Sequence, residues 1–171
     1  TLALTIPITL GALCGTISER GGIIMLGVEG MMLMGAFSAV LGSYVTGSAI
    51  IGVLFAMLVG GLLGFLYCLF CLKFKAHQSV IGVGLNLFAS GITKVLLKAI
   101  WGQEGMSTFV DTIGKVNLPL LKSIPVIGPI FFDQSPFLYL TLVIVAAVWF
   151  VFYRSKFGLR YRAIGDHPLA V

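Results

Sequence analysis

Charge is what this sequence has least of. Only 10% of its 171 residues are Asp, Glu, Lys or Arg, where soluble domains carry about 25%. So few charged side chains cannot cover a water-soluble surface. Apolar residues make up 58%, above the usual range of about 45–50%, so the remaining solvent for that area is lipid. Acids are scarcer than bases, six against 11, which leaves a formal net charge of +5. A basic balance can signal nucleic acid. Here the bases lie between apolar runs and at the C-terminal end, and no basic face carries interleaved aromatics, so no nucleic-acid partner is expected. Cysteine is limited to Cys14, Cys68 and Cys71, which implies no disulfide framework. Cys68 and Cys71 form a C-x-x-C, but a zinc site needs two further ligands at suitable spacing. The pair reads as small apolar residues at a helix contact, and no metal is expected. No basic stretch precedes the first apolar run, as a cleaved signal peptide requires. No P-loop is present, and nothing suits covalent catalysis, so the chain is not expected to be an enzyme.

What is present is a series of long apolar runs. Five stand out: Leu2–Ile17, Ile23–Val45, Ala49–Leu72, Val80–Ile100 and Phe137–Tyr153. Most reach or approach the ~20 residues that cross a hydrocarbon core as a helix. Backbone groups find no water there, so such runs must be helices or closed-barrel strands, and unbroken apolar runs without period-2 alternation exclude the barrel. The fold class is therefore all-α: a polytopic transmembrane helical bundle of about five helices in one membrane domain. Thr1 and Val171 both read as cuts, so the bundle is expected to be incomplete at the C-terminus. Positive charge in short loops marks the cytoplasm. Arg154, Lys156, Arg160 and Arg162 place the C-terminal segment inside. Counting back puts the Trp101–Pro136 loop outside, the Lys73–Gln78 loop inside and the Glu19-Arg20 turn inside. Lys94 and Lys98, near the outer end of the fourth run, snorkel to the interface.

Three patterns locate contacts within the membrane. In the third run Gly52, Ala56, Gly60 and Gly64 recur at four-residue spacing, a small-xxx-small stripe that reads as a helix-packing seam. In the fourth run Gln78, Gly82, Asn86 and Ser90, with Thr93 nearby, form a polar stripe. A lipid-facing Asn would leave its amide unsatisfied, so this face points at protein, through interhelical hydrogen bonds, or at a watered transport pathway. The second run opens with Gly21-Gly22 and carries Gly27, which makes a continuous helix unfavourable there. Glu29 is the one acid inside an apolar run. It reads either as part of a substrate pathway with Asn86 and Ser90 or as a first-turn residue of a restarted helix, where its charge complements the dipole.

These residues resemble a known family. Ser18-Glu19-Arg20-Gly21-Gly22-Ile23-Ile24-Met25-Leu26-Gly27-Val28-Glu29-Gly30-Met31-Met32 resembles the S-E-R-x-G-[VI]-[IV]-N-[LI]-G-[VI]-E-G-x-M segment of ABC importer permeases of the branched-chain amino acid and simple-sugar permease superfamily. Gly158-Leu159-Arg160-Tyr161-Arg162-Ala163-Ile164-Gly165-Asp166-His167-Pro168 is similar to its G-[LM]-R-x-R-A-[VI]-G-[ED]-x-P, and Gly84-Leu85-Asn86-Leu87 to a weaker fourth-run N-L signature. The nucleoside (guanosine-type) branch resembles the chain most. Met25 departs from the pattern, which usually has Asn, and removes a donor and an acceptor.

The resemblance implies a permease subunit that imports nucleosides by alternating access. Its implied partners are a second permease subunit in a heterodimer, a cytoplasmic ATP-binding subunit and an extracellular substrate-binding lipoprotein. ATP and Mg would be held by the ATPase, with no cofactor on this chain. Arg160, Arg162, Gly165, Asp166 and Pro168 become candidates for coupling to the ATPase. A short helix is predicted to begin at Pro168, capped by His167 or Asp166. The long outer loop, with Lys115, Lys122 and the Pro-rich Leu118–Phe132 stretch, is expected to receive the binding protein. A sugar or branched-chain amino acid permease and an ion-coupled secondary transporter, which also uses broken helices and a buried acid, are the competing readings.

Overall fold

The computed structural model describes residues 2–102 and 136–166, and among these the regular elements are helices. They are α1 (Leu2–Arg20), α2 (Val28–Thr46), α3 (Ala49–Leu72), α4 (Gln78–Trp101), α5 (Pro136–Arg154) and α6 (Lys156–Asp166). The all-α bundle is therefore present. Among the described residues four helices are long and apolar enough to cross a membrane: α2, α3, α4 and Phe137–Arg154 of α5. Their side chains behave accordingly. Leu54, Phe65, Val80 and Leu87 are exposed, an arrangement suited to lipid rather than water. Hydroxyls within helices bond back to carbonyls one turn earlier, as Thr16 does to Ala12 and Thr141 to Phe137. Such bonds satisfy them without water.

The described helices gather into two compact units, residues 23–112 with α2, α3 and α4, and residues 1–22 with 113–171, which hold α1, α5 and α6. In the first of these, α2 and α3 form a hairpin. Gly47 closes α2 with φ of 66° and its N–H donates to the Ser43 carbonyl at 2.9 Å, a left-handed cap that suits glycine. The two helices then meet through Gly42 and Gly52. A Cβ built on Gly52 would lie 2.6 Å from the Ala39 carbonyl oxygen. Further along α3 the buried residues are Leu63, Tyr67 and Cys71. The predicted stripe coincides with this contact at Gly52, whereas nothing described lies within 4 Å of a Cβ on Gly60 or Gly64. A four-residue step overshoots a helical turn by about 40°, so three steps carry Gly64 about 120° from Gly52, while Leu63 returns to within about 20°. The α4 helix lies against α2, with Gly82, Ala89 and Thr93 buried. At its far end Trp101 packs edge-on against Phe37 and Tyr44.

In the other unit α5 runs into α6 with one residue between them. Ser155 serves as the N-cap of α6: its Oγ accepts a hydrogen bond from the Gly158 N–H at 3.2 Å and donates to the Val151 carbonyl at 2.6 Å. The sequence reading placed a helix start at Pro168 with Asp166 or His167 as cap. Asp166 is the last residue of a helix that begins ten residues earlier and is capped by Ser155. His167, Pro168 and residues 103–135 of the predicted outer loop lie outside the described residues.

Candidate functional site

The helix break is the centre of the site. Two backbone bonds close α1 into a turn, from Gly21 N–H to the Ser18 carbonyl at 3.0 Å and from Gly22 N–H to the Glu19 carbonyl at 3.0 Å. Gly22 has φ of +81°, a conformation that side-chain-bearing residues rarely adopt. Residues 23–27 are not helical, and α2 restarts at Val28 without a side-chain cap bond from Gly27. Unwound backbone in a membrane needs partners for its polar groups.

Within residues 23–112 those partners are three side chains from α3 and α4. The Ile24 N–H donates to Gln78 Oε1 at 2.8 Å, and the Tyr67 hydroxyl donates to the Ile24 carbonyl at 2.7 Å. The Tyr67 oxygen also lies 3.2 Å from the Gln78 carbonyl, tying the segment to the start of α4. Asn86 bridges the break. Its Nδ2 donates to the Leu26 carbonyl at 3.0 Å, and its Oδ1 accepts from the Gly30 N–H at 2.8 Å. Gly30 lies in the first turn of α2, so Asn86 does from a distance what an N-cap residue does locally.

The fit is close because the facing residues are small. A Cβ on Gly82 would sit 2.8 Å from Leu26 Cβ, and one on Gly30 would sit 2.8 Å from Asn86 Oδ1. The predicted polar stripe thus faces protein at Gln78, Gly82 and Asn86, and Thr93 continues it with a 3.3 Å contact from its hydroxyl to Met34 Sδ. Ser90 is half-buried on the same helix, and Glu29 is exposed in the first turn of α2. Cys71 is buried, Cys68 is half-buried, and both are free thiols. Among the described residues no group of three His, Cys, Asp or Glu could hold a metal ion.

The second constellation belongs to the unit of α1, α5 and α6, where α6 is fastened to the end of α1. The Tyr161 hydroxyl donates to the Ile17 carbonyl at 3.1 Å. A Cβ on Gly21 would fall 2.5 Å from that hydroxyl oxygen. Gly165 lies with its backbone against Arg20 and Gly22, so close that a Cβ there would overlap the Arg20 carbonyl oxygen. Tyr161 is also flanked by Phe152 and Phe157. The two coupling arginines differ. Arg162 is half-buried, with its guanidinium 5.3 Å from the Tyr153 ring centre, whereas Arg160 is exposed. Sequence reasoning singled out Asn86, Gly21, Gly22 and Gly165 but missed Tyr67, Tyr161 and Ser155. For Tyr67 the available signal was a hydroxyl-bearing ring near the end of an apolar run, which lipid would not satisfy.

Over residues 1–171 the chain matches the family described as branched-chain amino acid transport system / permease component. The chain belongs to this permease family. It is 34% identical to the guanosine ABC transporter permease protein NupQ of Bacillus subtilis (strain 168), over 99% of this chain and 56% of that protein. It is 36% identical to the nucleoside ABC transporter permease protein NupC of Lactococcus lactis subsp. cremoris, over 99% and 55%. A putative glucose ABC transporter permease protein of Haloferax volcanii is 35% identical over 93% of this chain and 48% of its own length. The chain thus spans about half the length of the curated relatives it matches. No solved structure matches it. With its apolar helices, this permease chain is a multi-pass membrane protein.

Proposed function

We propose that the chain is the membrane-spanning part of a permease subunit in an ATP-driven nucleoside importer that works by alternating access. The observation that carries this reading is the likeness, over 99% of the chain, to permeases named for guanosine and nucleoside transport. The geometry supports it. An unwound segment held by reversible side-chain bonds, rather than by continuous helix, can change shape at low cost when neighbouring helices move. The partners in this reading are a second permease subunit, an ATP-binding subunit that holds ATP and Mg, and an extracellular binding lipoprotein. ATP hydrolysis falls to the partner, and this chain performs no covalent chemistry.

The orientation follows from the basic loops. The Lys73–Gln78 loop, the Arg20 end of α1 and α6 face the cytoplasm, where α6 meets the ATPase through its exposed face of Phe157, Arg160 and Ile164. Glu29, exposed beside the unwound segment, and Ser90 stand along the substrate pathway. Asn86 contributes to that pathway by shaping the segment, since its amide is engaged on both sides.

The test is reconstitution of the full-length permease with its cognate ATPase and binding protein in proteoliposomes. Guanosine is expected to stimulate ATP hydrolysis and to accumulate inside. Stimulation by glucose alone, the substrate named for the Haloferax relative, would move the substrate class to sugars. Uptake driven by an ion gradient and indifferent to ATP would overturn the importer reading.

A further inference from the structure

We infer that Tyr161 and Gly165 are positioning residues that hand the movement of α6 directly to the Gly21-Gly22 turn, where the unwound segment begins. The inference rests on the importer reading and names the joint through which it works.

The argument starts from how force passes between helices. A contact through long flexible side chains absorbs a displacement by changing rotamers, whereas backbone against backbone transmits it, because packed interiors are not continuously deformable. Gly165 meets Arg20 and Gly22 backbone to backbone, with no room for a single methyl. One turn earlier on α6, Tyr161 is wedged over Gly21 and hydrogen-bonded to the Ile17 carbonyl. Ile17 and Gly21 are one helical turn apart, so Tyr161 grips the last turn of α1 on one face. Gly165 meets the turn that follows it.

The base of α6 is equally firm. Gly158 is buried against the Val151 and Phe152 backbone, and Ser155 caps the helix. Phe152 also packs edge-on to Tyr161. The helix therefore has no slack at either end. A push on its exposed face must displace the Arg20–Gly22 turn. Gly22, already at φ of +81°, is followed by the non-helical residues 23–27, so displacement of the turn passes along the chain into the unwound segment. This gives Gly21 and Gly165 a common steric reason for having no side chain, while the reason at Gly22 is its positive φ.

The experiment uses the full-length permease reconstituted with its ATPase and binding protein, with guanosine as the probe, or glucose where that is what the wild-type complex carries. The readout is substrate accumulated per ATP hydrolysed. Gly165→Ala is expected to lower that ratio about 10-fold while the ATPase still co-purifies and still hydrolyses ATP. Tyr161→Phe, which removes only the hydroxyl, is expected to lower it two- to five-fold. Gly21→Ala is expected to lower it too, and adding Tyr161→Phe to Gly21→Ala is expected to recover part of the loss, because the atom nearest the new methyl is gone. Gly15→Ala, with nothing within 4 Å of the added carbon, serves as the control at the wild-type ratio.

A wild-type ratio in both Gly165→Ala and Tyr161→Phe would overturn the joint. So would loss of ATPase binding in parallel with uptake, since α6 would then be only a docking surface. If Gly165→Ala fails to assemble, Tyr161→Phe and its partial rescue of Gly21→Ala decide the matter alone. A wild-type complex indifferent to ATP would show that the importer reading itself has failed, and the joint falls with it. A change of substrate class leaves the measurement intact.

Discussion

The two sides of the helix break are held by different physics. On the side of residues 23–30, side-chain amides and a tyrosine hydroxyl from α3 and α4 bond to exposed backbone groups. On the side of residues 17–22, the hold is mainly steric, with glycine backbone against Gly165 and against the Tyr161 ring. Hydrogen bonds can be exchanged one for another at low net cost, but an unmade bond away from water is expensive. Close packing has the opposite character, tolerating loss of polar partners and rejecting added volume. The first arrangement suits a segment that must change conformation, and the second suits a joint that must not yield.

Substitutions can break this comparison, and the largest effect is expected at Asn86. Asn86→Leu strips partners from the Leu26 carbonyl and the Gly30 N–H together, at about 1–3 kcal/mol for each unsatisfied group. A fall of several degrees in the thermal midpoint of the detergent-solubilised permease should follow. Asn86→Asp retains the acceptor for Gly30 and should fall less. If Asn86→Leu is as stable as wild type, the break is not held by this amide.

Next in size is Gly21→Ala, where forcing a methyl against Tyr161 should cost about 1–3 kcal/mol. It should be insensitive to polar substitutions at Gln78 or Asn86, and thermal midpoints of the combined variants would show whether the two sides are additive. A strongly non-additive result would mean that the steric and polar sides act as one unit. Tyr67→Phe should be milder, about 1 kcal/mol for one hydrogen bond to the Ile24 carbonyl. Amide exchange at Ile24 should change little, since Gln78 accepts from that N–H independently. Smallest is Gly64→Ala. Nothing lies within 4 Å of the added carbon, so the midpoint should move by about 0.5 kcal/mol or less, and slightly upward if helix propensity dominates.

The legibility of these features from sequence varied with the kind of signal. The α3 boundaries, Ala49–Leu72, coincide with the apolar run because lipid leaves one solution for such a stretch. The break at Gly21–Gly27 was readable because glycines at that density disfavour helix. Asn86 was readable as an amide that must find a partner, though its partners are backbone groups of a segment 56 and 60 residues away, and no local pattern names them. Of the small-residue stripe, Gly52 meets α2, while Gly60 and Gly64 have no described atom within 4 Å of an added Cβ, because four-residue spacing drifts around the helix. Helix α6 was missed because two glycines and four charged residues hid a helix whose cap, Ser155, lies one residue past the end of α5.

By itself the sequence determined that this chain lives in a membrane, that it is helical, and that its second apolar run does not open as a continuous helix through Gly21, Gly22 and Gly27. Those are one-dimensional properties, set by how much apolar side chain the chain carries and where glycine interrupts it. Only the tertiary structure decided which side chains close the interruption. Asn86, Gln78 and Tyr67 reach the unwound segment, and Tyr161 and Gly165 reach the turn before it, because helix packing brings residues distant along the chain within hydrogen-bonding or van der Waals distance. A backbone group without water takes the partner that packing delivers.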